Sequence, residues 1–112
     1  MRELVFGPRR SGRTTTLLMT MIEEMDMHDK DVYLVVSTPS LGMELRNNVK
    51  QLNGDPKRVK IIALGSLYVL QGIANPMNVY IEHTAYEQAD SFQLQKLYTL
   101  EDNKDTYIGV RK

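Results

Sequence analysis

Cysteine is missing from this chain, and with it go disulfide bridges and thiolate zinc sites. That composition is compatible with a reducing compartment, and the cytoplasm is the expected location. Two histidines, His28 and His83, are too few for a histidine-based metal cluster. No apolar run approaches the ~20 residues that cross a bilayer, so no membrane partner is expected. The chain leads straight into a strand signal at Glu3, which predicts no signal peptide. Neither sign of charge dominates, because 14 acidic residues offset 14 basic ones. A global field drawing the protein to nucleic acid is thereby excluded, and any such contact must come from a local patch. Linkers, repeats and low-complexity segments are lacking as well. What is left is a chain of 112 residues, 42% hydrophobic and 25% charged, the composition of an ordinary globular protein. That length predicts a single domain over residues 1–112.

Two hydrophobic periods alternate along the sequence. Glu3 to Phe6 reads as a strand, and Leu17, Leu18, Met21, Ile22 and Met25 mark one face of a helix from Thr14 to Met27. Val32 to Val36 is continuously apolar and mostly β-branched, as in a strand buried on both faces of a parallel sheet. Thr38-Pro39 offers an N-cap with proline at the first helical position, and Leu41, Leu45, Val49 and Leu52 follow at helical spacing. The turn residues Asn53-Gly54-Asp55-Pro56 stop that helix. A strand from Val59 to Leu64 is followed, after Gly65-Ser66, by a short apolar helix ending near Gly72. Asn75-Pro76 breaks the chain before a strand at Val79 to Ile81. One helix over Tyr86 to Leu100, a turn at Asn103 to Asp105 and a last strand from Thr106 to Val110 complete the pattern. Strands separated by helices imply right-handed parallel crossovers. The predicted fold is α/β, a three-layer α/β/α arrangement around a mostly parallel five-stranded sheet.

Between the first strand and the first helix lies Gly7-Pro8-Arg9-Arg10-Ser11-Gly12-Arg13-Thr14. Small residues let a backbone curl so that successive N–H groups converge on an anion at a helix N-terminus. Gly7, Arg9, Arg10, Ser11, Gly12, Arg13, Thr14 and Thr15 are therefore the candidate anion-binding residues, and the nucleotide-binding ones under the resemblance given below. The plainer reading is a basic glycine-containing turn. Near the other end of the chain, Asn78-Val79-Tyr80-Ile81-Glu82-His83 is an apolar strand closing on a polar pair. A strand ending at solvated side chains is the alternative there.

The first segment has the spacing Gly-x4-Gly-Lys-Ser/Thr, with Arg13 in the lysine's position, and the chain resembles the P-loop NTPases over most of its length. The resemblance implies a P-loop NTPase core of RecA-like type that binds ATP with Mg2+. By position, Arg13 would approach the phosphates and Thr14 would ligate the metal. Arginine keeps the charge, but its planar fork is wider than an ammonium group. The second segment is similar to a Walker B strand. Glu82 would hold Mg2+, and His83 takes the place of the carboxylate that orients the attacking water. Neutral imidazole can accept a proton near pH 7 without supplying that negative charge. Glu87, one helical turn on, is a substitute candidate for catalysis. Parallel geometry is expected to set the Glu82 strand beside the strand entering the loop, the carboxylate facing Thr14 across a magnesium-sized gap.

Val35 to Ser40, Ile62 to Leu67 and Leu70-Gln71-Gly72 are similar to segments of helicase and viral terminase ATPases, which line a nucleic-acid path. Ser and Thr at strand ends also serve as helix caps. The resemblance implies a nucleotide ligand, a nucleic-acid or protein partner, and a homo-oligomer to supply the arginine finger that this sequence does not display. In style it is similar to bacteriophage accessory proteins, viral products of a host cytoplasm. Weak or partner-dependent hydrolysis is the expected activity, with a catalytically decayed binding module as the alternative. Gly7-Pro8, Ser11 to Thr15 and Leu17 are also similar to a thymidine kinase loop, but no cysteine zinc ribbon or lasso accompanies them. Arg46, Lys50, Lys57, Arg58 and Lys60 lack interleaved aromatics and read as a solvated face. Met21 and Met25 are expected to fill the core, and His28 to be exposed.

Overall fold

The apolar run Val32–Val36 forms β2, the centre of a parallel sheet in the computed structural model, which describes residues 2–3, 13–71, 79–101 and 106–108. On one side β2 pairs with β3 (Val59–Ala63) along its whole length, from Val32 opposite Val59 to Val36 opposite Ala63. On its other side β2 pairs with β4 (Val79–Ile81), Tyr33 opposite Val79. Beyond β4 the described residues add β5 (Thr106–Ile108) and then β1 (Arg2–Glu3), giving the order β1-β5-β4-β2-β3. The structure is thus α/β, and the sheet is best developed in β4–β2–β3.

Helices cover both faces. Leu17, Met21 and Met25 of α1 (Arg13–His28) and Leu45 and Val49 of α2 (Pro39–Gln51) pack on Val32, Leu34 and Val36. Leu70 of α3 (Tyr68–Gln71), Ala85 of α4 (Thr84–Gln88) and Leu97 of α5 (Ser91–Glu101) pack on Val35, Val79 and Ile81. Doubly covered strands read as unbroken apolar runs for this reason.

The Glu82 strand does not lie beside the strand that enters the loop, because β5 separates β4 from β1. Crossover handedness sets the direction of travel across the sheet and leaves this choice of neighbour open. Right-handed connections on the α1 and α2 face carry the chain one way across the sheet, and those on the opposite face carry it back. The returning chain fills the space next to β4.

A second difference concerns the helix expected over Tyr86 to Leu100, which is two helices, α4 and α5. Asp90 starts the second. Its carboxylate accepts from the Gln93 N–H at 2.8 Å, while the Gln93 side chain accepts from the Asp90 N–H at 3.0 Å. This reciprocal capping box satisfies two donors that a continuous helix would have bonded internally. At the other strand end, β3 stops at Ala63, and Leu64–Ser66 is a 3-10 turn.

The caps of α2 match the sequence reading. Thr38 Oγ1 accepts from the Leu41 N–H at 3.2 Å, with Pro39 in the first turn. Asn53 takes a positive φ of 68° after the helix, where Asn53 N–H bonds Lys50 O and Gly54 N–H bonds Val49 O. That pair of bonds is a Schellman termination. The basic cluster is largely structural. Arg46 donates twice to Val59 O, Arg58 pairs with Asp29 at 2.8 Å and Asp31 at 3.4 Å, and Lys60 lies 3.8 Å from Asp31. The Asp29 hydrogen bond leads in raising the Arg58 pKa above its ordinary value. His28 is half exposed but contacts Glu24 at 3.1 Å. Met21 and Met25 are buried, as expected, while Met19 and Met27 face outward.

Candidate functional site

Adjacent strands β2 and β4 send their following helices to opposite faces, α2 to one and α4 and α5 to the other. Such a divergence leaves a crevice at the carboxyl ends of the two strands, the usual ligand position of open α/β sheets. Glu82 follows β4 at this crevice, and Ser37 and Thr38 follow β2. The Glu82 N–H bonds Val35 O at 3.0 Å, continuing the ladder by one residue and fixing where the side chain starts.

Glu82 is only 2% exposed, the one buried charged residue among those described. Burial of a carboxylate is costly unless donors surround it. Here Oε1 accepts from Thr14 Oγ1 at 3.2 Å, across 68 positions of sequence. Oε2 accepts from the Thr84 N–H at 3.1 Å and from the Thr84 hydroxyl. Thr84 Oγ1 in turn lies 3.1 Å from Ser37 Oγ. His83 Nδ1 approaches Oε1 at 2.7 Å, at ion-pair distance but outside hydrogen-bond alignment. Four groups from α1 and the start of α4 therefore converge on one carboxylate, with Ser37 after β2 behind Thr84.

The donor chemistry suits a hard divalent cation. A carboxylate can only accept, so Thr14 gives its single hydroxyl proton to Glu82 and keeps oxygen lone pairs for another partner. A hydroxyl oxygen beside a carboxylate fits Mg2+, which takes one or two protein ligands and completes its octahedron with water and phosphate oxygens. Among the described residues no three His, Cys, Asp or Glu side chains converge as a metal cage.

Thr14, Glu82 and His83 are thus brought together. The expected gap between Thr14 and Glu82 is replaced by a direct hydrogen bond. Thr15 is exposed, and Glu87 is exposed on α4. Arg13 is the first residue of α1, whereas Gly7, Arg9, Arg10, Ser11 and Gly12 lie outside the described residues. Beside Thr14, a groove of about 480 Å³ runs between α1 and α2, lined by Thr15, Leu18, Leu41, Asn48 and Leu52 among others. Thr84 is the site residue that the sequence reading missed. A hydroxyl two positions after a strand-ending acid, at the start of a helix, is the signal that would have found it. Comparison with family models, with curated proteins and with solved structures finds no match to this chain.

Proposed function

We propose that this is a small nucleotide-binding domain of P-loop, RecA-like type, taking ATP with Mg2+ and hydrolysing it weakly or only with a partner. The observation that carries the reading is the Thr14–Glu82 hydrogen bond. It joins the first turn of the helix after the glycine-containing loop to the acid that ends an apolar strand. Two segments singled out separately by their sequence thereby share one site. The crevice position of Glu82 supports the same reading.

In this reading the N-terminus of α1 receives the phosphates, helped by its N–H groups and by the positive end of the helix. Thr14 offers its hydroxyl oxygen to the cation while its hydroxyl proton points to the Glu82 carboxylate. Glu82 supplies the negative charge, and Arg13 adds a positive one near the phosphates. Mg2+, when bound, neutralises charge on the phosphate oxygens. A catalytic role for His83 requires Nδ1 to leave Glu82 or Nε2 to meet the attacking water. The close approach of Nδ1 to Glu82 favours, as a second reading, a binding module with little or no turnover.

Calorimetric titration with ATP tests the proposal. The parent protein is expected to bind ATP more tightly with Mg2+ than with EDTA. Thr14→Ala is expected to remove about ten-fold of affinity in Mg2+ and much less in EDTA. Equal losses in the two buffers would exclude a metal role for Thr14, and a parent that binds no ATP would end the nucleotide reading.

A further inference from the structure

We propose that Thr84 and Ser37 are positioning residues that hold the Glu82 carboxylate for the cation. The inference rests on the magnesium reading of Thr14 and Glu82, and it concerns Thr84, which no motif in the sequence covers, and Ser37, to which the Val35–Ser40 resemblance gives no metal role.

Proton counting orders the chain of hydroxyls. The Thr84 hydroxyl has one proton, and Glu82 Oε2 can only accept, so that proton points at Glu82. Ser37 and Thr84 are 3.1 Å apart with either able to donate in principle. Once the Thr84 proton is committed, Ser37 must be the donor. The direction is Ser37 to Thr84 to Glu82, from the end of β2 to the end of β4. The Thr84 N–H reinforces it on the same oxygen. Oε2 is therefore clamped by two donors of one residue, while Oε1, which faces Thr14 at 3.2 Å and His83 Nδ1 at 2.7 Å, is the oxygen offered to the cation. A carboxylate with one oxygen fixed loses little rotational freedom when the other meets a metal shell, and outer partners of this kind orient metal-binding carboxylates. Thr84 acts on Glu82 directly, and Ser37 acts only through Thr84.

The test is the ratio of ATP affinity in Mg2+ to that in EDTA, measured by calorimetry on the full chain and its variants. Thr84→Val keeps the shape and deletes the hydroxyl. It is expected to lower the ratio about ten-fold with EDTA affinity unchanged. Thr84→Ser restores the hydroxyl and is expected to restore the ratio. Ser37→Ala should lose less than Thr84→Val, and the double variant should be no worse than Thr84→Val alone, because the two sit in series. A parental ratio in Thr84→Val overturns the proposal. So does an equal loss in both buffers, or failure of Thr84→Ser to rescue. If Thr84→Val does not fold by circular dichroism, Ser37→Ala carries the test, and a parental ratio there overturns the relay. A parent without magnesium-enhanced ATP binding removes the magnesium reading itself, and this proposal with it, before any variant is compared.

Discussion

Glu82 is held by hydroxyls and an amide, and among the described residues His83 is the basic side chain against it. Neutral donors offset only part of what a buried carboxylate loses by leaving water. Such a residue is expected to lower stability in return for binding, the trade seen where function needs an uncompensated charge. Glu82→Gln keeps the shape and one acceptor oxygen for Thr84, and its amide can donate to Thr14. The variant is expected to gain about 1 kcal/mol in urea denaturation while losing magnesium-dependent ATP affinity. A destabilised glutamine variant would mean that the charge itself stabilises the seam between α1 and β4. At this scale the sequence was informative where a residue has a local signature. An acid at the end of an apolar strand, and a threonine after a glycine-containing loop, are both visible without a fold. Thr84 has only its spacing, two positions after the acid, and its link to Ser37 depends on β2 ending beside it.

Elements were legible wherever a period of two or of 3.6 persisted. The core faces of α1 and α2 follow their apolar spacing, and β2 follows its β-branched run. The division between α4 and α5 was not legible, because the polar stretch from Tyr86 onward contains no glycine or proline to mark an end. Its signal was the capping pair Asp90 and Gln93, an acid three positions before an amide. Asp90→Ala removes the acceptor for the Gln93 N–H and should cost about 1 kcal/mol, read as a lower midpoint in urea. Asp90→Asn, which can also cap, should retain most of the stability. If alanine were tolerated as well as asparagine, packing of Leu97 on the sheet alone would be setting the start of α5.

Strand order belongs to the whole molecule and could not be read from local pattern. Periodicity tells which faces are buried and crossover handedness which way the chain travels, but neither tells on which side of β1 the last strand, β5, settles. The same geometry makes the proposed site a joint between distant parts of the chain, since Thr14 belongs to α1 and Glu82 follows β4. A ligand gripping both ends of that joint binds the folded protein and not the unfolded chain, so it must raise the melting temperature by mass action. At a concentration about 100 times its Kd, the gain is roughly 2.7 kcal/mol. For a domain of this size that corresponds to about 10 °C, taking roughly 4 °C per kcal/mol. ATP with Mg2+ is expected to give this shift in a thermal melt. ATP with EDTA should give a smaller one, and Thr14→Ala should bring the two shifts together. Mg2+ without nucleotide should do little, because Glu82 and Thr14 supply only part of an octahedral shell. A melting temperature indifferent to ATP and Mg2+ across the millimolar range would mean that the joint is a structural seam. The chain would then stand as an interaction module whose hydroxyl cluster serves only to bury Glu82.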